Sequence, residues 1–206
     1  MKKRDSLRRR NPSRAPKQRF LIVCEGTVTE PCYFRQLRHL LRSLIELVII
    51  PGGDPKTLVE RAVEKKAESY RAAHRQGDAY LAYDQVWCVC DVDEHKRLPA
   101  ALQQARDNGI NMAVSNPSFE LWALLHFADQ TAHIEREKAR ALCKRHMPRY
   151  DKELPCDVLM PRYPDARQRA VKLEQWHESR DTADSNPSTG VYLLVEQIRV
   201  QAGGEQ

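Results

Sequence analysis

Two short apolar runs in this 206-residue chain end in acidic residues. Arg19-Phe-Leu-Ile-Val-Cys24 stops at Glu25-Gly26, and Tyr83-Asp-Gln-Val-Trp-Cys-Val-Cys90 runs straight into Asp91-Val92-Asp93-Glu94. Continuous apolar stretches of this length mark strands buried on both faces of a parallel sheet. Such sheets bind their ligands off the carboxyl ends of the strands. In extended chain, Asp91 and Asp93 point to one side with Cα atoms roughly 6.5 Å apart. If the two strands are neighbours, Glu25 comes within reach of both. Three carboxylates at one sheet edge repel each other unless a hard cation neutralises them, and oxygen-only ligation suits Mg2+ or Mn2+ rather than zinc. A hard cation held this way beside a phosphate is the apparatus of phosphoryl transfer. The plainer alternative is an acidic loop that only meets solvent.

Further residues could join such a site. Glu30 is either a metal ligand or an acid placed at a helix start, where the dipole favours it. Glu94 is either a ligand for a second metal or an exposed loop acid. Glu120 falls inside the apolar run Phe-Glu-Leu-Trp-Ala-Leu-Leu-His-Phe127, where an unpaired carboxylate is expensive. It therefore pairs with a base or serves the site as a catalytic group. His126, in the same run, reads as a core histidine. Ser115 and Asn116 end another strand at the same edge, in position to touch phosphate or a metal-bound water. Lys152 is placed as a catalytic cation that offsets transition-state charge.

The elements that must position these groups follow from spacing. After Glu25-Gly26, Thr27 and Thr29 can cap a helix that carries Tyr33, Phe34, Leu37, Leu40, Leu41 and Leu44 at helical period. Leu47 to Ile50 reads as a second buried strand, ended by Pro51-Gly52-Gly53. Asp54-Pro55 opens the next helix. Leu98, Ala101, Leu102 and Ala105 mark a third helix, stopped at Asn108-Gly109, and Ile110 to Val114 makes a fourth strand. This βαβαβαβ alternation predicts an α/β fold, Rossmann-like, with a mainly parallel four-stranded sheet flanked by helices. Beyond it come amphipathic helices over 134–146 and 166–177, with a Pro- and Tyr-rich loop over 147–164 between them. A last helix, capped by Ser188 or Thr189, completes a C-terminal helical extension. The expected division is a basic disordered arm over 1–18, an α/β catalytic core over 19–128, and a helical extension over 129–206 packed on that core.

Composition narrows the classes. Hydrophobic residues make up 41% and charged residues 30%, which suits a folded chain with its own core. No apolar run approaches the roughly 20 residues of a bilayer span. The basic start is not followed by a run of signal-peptide length, so the expected location is cytoplasmic, with no membrane partner. The six Cys form no Cys-x-x-Cys pair and read as reduced thiols packed as small hydrophobes. The net charge of +6 is uneven, because residues 1–20 hold nine of the 34 bases but one of the 28 acids. Arg8, Arg9, Arg10, Arg14 and Lys17 are the expected nucleic-acid-binding residues of that arm. Its bland alternative is a solubilising tail.

Three blocks, in order, resemble a known family. They are Leu-Ile-Val-Cys-Glu25-Gly26-x-x-Thr29-Glu30-Pro31-x-Tyr33-Phe34, then Val-Trp-Cys-Val-Cys-Asp91-x-Asp93-Glu94, then Ser115-Asn-Pro-Ser-Phe119-Glu120-Leu121-Trp122-x-Leu-Leu-His126-Phe127. Together they are similar to RloB-like proteins, which belong to the Toprim superfamily with topoisomerases, bacterial primases and OLD-type nucleases. A weaker likeness continues through Tyr150-Asp-Lys152 and Asn186-Pro-x-Thr189. The resemblance implies a Toprim fold, Glu25 as general acid or base, and Mg2+ (or Mn2+) on Asp91 and Asp93. It also implies a nuclease acting on DNA or RNA, linked to restriction or phage defence, beside an ATPase partner encoded nearby. A homodimer is compatible with it. The alternative is a non-catalytic nucleic-acid-binding subunit of an ATPase-containing complex, since fold alone does not imply activity.

Overall fold

The computed structural model describes residues 17–49, 53–92, 97–179 and 185–202. The central sheet takes β1 (Arg19–Cys24), β2 (Leu44–Ile49), β3 (Gln85–Asp91), β4 (Asn111–Asn116) and β5 (Ser188–Thr189) in the order β2-β1-β3-β4-β5. The first four pair in parallel, and β5 adds two residues antiparallel to β4. The α/β architecture is therefore the expected one with a fifth, very short strand. Strands β1 and β3 are neighbours, with Cys24 opposite Val89.

Helices cover both faces. On one side lie α2 (Pro55–Gln76) and α3 (Leu98–Asp107), whose Leu58, Val59, Ala62, Ala101 and Ala105 pack on Leu21, Val23, Val86, Cys88 and Cys90. The alternate residues Phe20, Ile22, Cys24, Trp87 and Val89 face the other side. There they meet α1 (Thr29–Leu41), α4 (Glu120–Leu125), α5 (Arg136–His146), α6 (Cys156–Leu159), α7 (Tyr163–Glu178) and α8 (Val191–Gln201) in a single apolar cluster. The two-residue period of a strand thus feeds two separate cores.

Local chemistry explains the boundaries, with some departures from expectation. Asp54 caps α2 by accepting the Thr57 amide at 3.0 Å, and Pro55 starts the helix. Helix α1 begins after Val28, with no side-chain cap from Thr27 or Thr29. Strand β2 begins at Leu44 rather than Leu47 and is an edge strand, with Leu44 and Glu46 exposed, because only β1 flanks it. Ser188 and Thr189 form β5 rather than the residue capping α8, which follows Gly190. The expected loop over 147–164 holds α6 and a 3-10 turn at Met160–Arg162. All six Cys are free thiols, and five are buried. No helix among the described residues is long and apolar enough to cross a membrane.

Candidate functional site

A cavity of about 190 Å³ opens at the carboxyl ends of β1 and β3. The turn after β1 and the start of α1 line it with residues 26–30. Asp91 comes from β3, Phe119 and Glu120 from the start of α4, Arg136 and Arg140 from α5, and Lys152 from the loop beyond. Acids thus enter from the sheet edge and two helix starts, and bases from α5 and its following loop.

Glu30 occupies the first turn of α1 and is only 6% exposed. Its carboxylate rests on Gly26: a Cβ there would lie 2.0 Å from Glu30 Oε2, so a glycine is what lets the acid sit in this place. Burial pushes the Glu30 carboxyl up from its ordinary range. The charges of Glu120 and Glu25 add to this, against its own backbone hydrogen bond and the Arg136 charge. Glu25 stands at the β1 end, where its amide donates to the Val89 carbonyl at 3.3 Å. Its charge also helps burial raise the Cys90 thiol.

Asp91 closes β3, in register with Ser115 of β4. Arg136 Nη2, on the first turn of α5, donates to Asp91 Oδ2 at 3.2 Å. Glu120 is buried and well served: the Ser118 hydroxyl donates to Oε2 at 2.7 Å and the Tyr150 hydroxyl to Oε1 at 2.9 Å. Arg140 Nε lies 3.7 Å from the same Oε1. Burial and the Glu120 charge hold the Tyr150 hydroxyl in its protonated, donating form. Glu120 therefore faces a base and lines the cavity.

The remaining residues divide. Lys152 reaches the cavity from a left-handed backbone position (φ 66°). Ser115 and Asn116 do not line it: the Ser115 hydroxyl shares a 2.9 Å hydrogen bond with Thr189, and the Asn116 backbone pairs with Ser188 in the sheet. His126 is a core residue, 1% exposed, with Nδ1 2.8 Å from the Trp122 carbonyl. Asp93, Glu94, Arg8, Arg9, Arg10 and Arg14 lie outside the described residues. Lys17 is described, and its ammonium donates to the Arg42 carbonyl at the amino end of the sheet, away from the cavity. Arg136 and Arg140 escaped the sequence analysis; their one signal is an i,i+4 pair of bases on an amphipathic helix, which more often faces solvent.

Among the described residues, no group of three or more His, Cys, Asp or Glu side chains could hold a metal ion between them. The acids at the cavity, Glu30, Asp91 and Glu120, offer carboxylate oxygens, and burial, with the charges of Glu120 and Glu25, raises the Glu30 carboxyl. Carboxylate oxygens are the donors a hard cation takes, and Asp93 lies outside the described residues.

A family model described as RloB-like protein matches residues 20–198. No curated protein matches the chain. Among solved structures, the crystal structure of a sigma-54 interaction domain protein from Enterococcus faecalis is similar over 81% of this chain and 98% of that one, at 9% identity and a TM-score of 0.32. At that score the likeness carries no argument about fold or activity.

Proposed function

Because this chain belongs to the RloB-like family, we propose that it is a metal-dependent nuclease that hydrolyses phosphodiesters of DNA or RNA. The observation that supports this is the meeting of Glu30, Asp91 and Glu120 with Arg136, Arg140 and Lys152 around one cavity. Acids that can hold a cation and bases that can hold phosphate oxygens are the two halves of a phosphoryl-transfer site.

Asp91, Asp93 and Glu25 would hold Mg2+ (or Mn2+), with Glu30 behind them. When bound, the cation supplies Lewis-acid stabilisation of charge on the phosphate. Glu25, at the end of β1, moves the proton of the attacking water or of the leaving oxygen. Arg140 and Lys152 orient the phosphate and offset its growing negative charge. Glu120 acts through others, aligning Tyr150 and Arg140 by the contacts described above. The basic arm adds contacts to phosphates irrespective of sequence, which makes affinity steeply salt-dependent. The Toprim relationship, a cytoplasmic setting, a role in phage defence and control by an ATPase partner complete this reading.

The test is a cleavage assay on plasmid, single-stranded DNA and tRNA with Mg2+, comparing the parent with Asp91→Ala. The expected result is cleavage of at least one substrate, falling about 100-fold or more in the variant while its fold persists. Equal cleavage by both proteins overturns the assignment of Asp91. Binding without cleavage by the parent would instead favour the non-catalytic nucleic-acid-binding subunit.

A further inference from the structure

Helix α1 runs from the cavity to the opposite end of the sheet. Its first residues, Thr29 and Glu30, line the cavity, and the carbonyl of its C-cap residue, Arg42, accepts from Lys17 just before β1. Thirteen helical residues put these ends roughly 20 Å apart. Along that length Arg35, Arg38 and Arg42 recur at helical spacing, and no acid occurs between Glu30 and Glu46. Among the described residues none of the three arginines pairs with an acid, whereas on α2 Lys56, Arg61 and Lys65 pair with Glu60, Glu64 and Glu68. The Arg38 guanidinium donates to the Ile45 carbonyl at 3.4 Å. The carboxyl end of a helix favours cations, which accounts for Arg38 and Arg42, but Arg35 stands mid-helix and gains little from the dipole. A groove of about 530 Å³ lies between α1 and the edge strand β2, lined by Arg35 and Arg38 from the helix and by residues 43–47 from the strand side. The one acid lining it, Glu46, faces Arg19 at 3.7 Å, so positive charge remains in excess.

We propose that this groove is a phosphate track: the backbone of a nucleic-acid strand lies along α1, held by Arg35 and Arg38, between the amino end of the sheet and the cavity. The inference rests on the reading above that this chain binds nucleic acid, and it adds where the strand runs. A guanidinium presents a planar fork that matches phosphate oxygens, and these two have no carboxylate to give up first. The roughly 20 Å of the helix spans about six nucleotides at 3.4 Å each, so one strand can meet both arginines and the cavity. Contacts of this kind fix the path of the strand and carry no base sequence. An acidic protein strand added to the edge of β2 would meet the same arginines. The course of α1, from the cavity to Lys17 and the basic residues that precede it in sequence, favours nucleic acid.

The experiment is fluorescence anisotropy of the full chain with a labelled single strand and a labelled duplex of about 20 nucleotides, in a chelator and from about 50 to 200 mM salt. Melting curves check that each variant folds. Arg35→Gln with Arg38→Gln should weaken binding about tenfold at the middle of that range and flatten the slope of log affinity against log salt by nearly two. Arg35→Gln alone removes a side chain with no hydrogen bond or ion pair among the described residues, and should flatten it by nearly one. Arg35→Lys with Arg38→Lys keeps the charges and should keep the parent slope. Arg71→Gln with Arg75→Gln removes the same charge from exposed positions on α2, across the sheet, and should change affinity by less than about twofold. Binding by the parent with an unchanged slope in the Gln variants of α1 overturns the track and leaves the nucleic-acid reading standing. An equal loss in the α2 variant, or in the folded Lys variant, overturns it as well, because position or charge would then not matter. No binding of either probe by the parent overturns the track, and the nuclease reading is then decided by the cleavage assay.

Discussion

Glu120 and His126 lie six residues apart in one buried stretch and meet burial in different ways. Glu120 gathers Ser118, Tyr150 and Arg140 around its carboxylate. His126 has the Trp122 carbonyl at Nδ1, and its Nε2 has no hydrogen-bond partner among the described residues. Burial, aided by the Arg169 and Arg162 charges against two backbone hydrogen bonds, lowers the His126 pKa from 6.5 to about 4. A histidine kept neutral in the fold stabilises above its unfolded pKa, and that stability is lost as pH falls through the folded value. Stability should therefore drop between pH 6.5 and 4, by up to about 3 kcal/mol from this residue. His126→Phe keeps the ring and removes the proton, so urea unfolding across that pH range should give a flatter curve for the variant. Equal slopes would mean that other groups govern the acid limb. The sequence exposes Glu120 as an anomaly because a carboxylate interrupts an apolar run, yet it does not reveal Arg140 or Tyr150, which arrive from 20 and 30 residues later. The same limit hides the Arg136–Asp91 contact, which joins residues 45 apart.

Among elements, α4 is short and carries a large burden. It spans six residues, all buried, and stands between the cavity and the common apolar cluster. A helix this short has little intrinsic stability and takes its position from tertiary contacts. One of these is specific: Trp122 Nε1 donates to the Tyr33 hydroxyl of α1 at 3.0 Å, with both residues fully buried. Tyr33→Phe keeps the ring but leaves the indole donor unsatisfied, which should cost about 1–3 kcal/mol in denaturant unfolding. It should also reduce cleavage, because α4 carries Glu120 and α1 carries Glu30. A stability change under about 0.5 kcal/mol would show that the indole finds another acceptor. Elements with long apolar periods, such as β1 and β3, and the start of α2 are legible from sequence within a residue or two. The start of β2 is not, because an edge strand mixes Leu44 and Glu46 into its run, and β5 is invisible because two residues carry no period. Strand β5 exists only through its pairing with β4 and the hydrogen bond between Ser115 and Thr189.

At the scale of the whole molecule, the cavity and Lys17, which follows the basic residues 1–16, lie at opposite ends of the sheet. The cavity opens where β1 and β3 finish, whereas Lys17 precedes β1 and is held at the Arg42 carbonyl beside the start of β2. The length of β1 separates the two ends by roughly 20 Å. Residues 1–16 contain seven of the chain's 34 bases, so removing them changes the charge of the molecule substantially while leaving in place every residue described as lining the cavity. The deletion should stop before Lys17, because Gln18 also accepts from Gln85 at 3.2 Å and belongs to the fold. Affinity for nucleic acid should then fall most at low salt, and the slope of log affinity against log salt should flatten by nearly one for each phosphate that the truncated chain no longer neutralises. The turnover rate at saturating substrate should stay within about twofold of the parent, because the residues proposed to meet the scissile phosphate are kept. Binding measured from about 50 to 200 mM salt, beside saturating cleavage rates, checks both. An unchanged salt slope would make residues 1–16 a solubilising tail. A collapse of the saturating rate would show instead that the arm reaches round the sheet to the cavity itself, a span that 16 residues can cover in extended form at about 3.3 Å each.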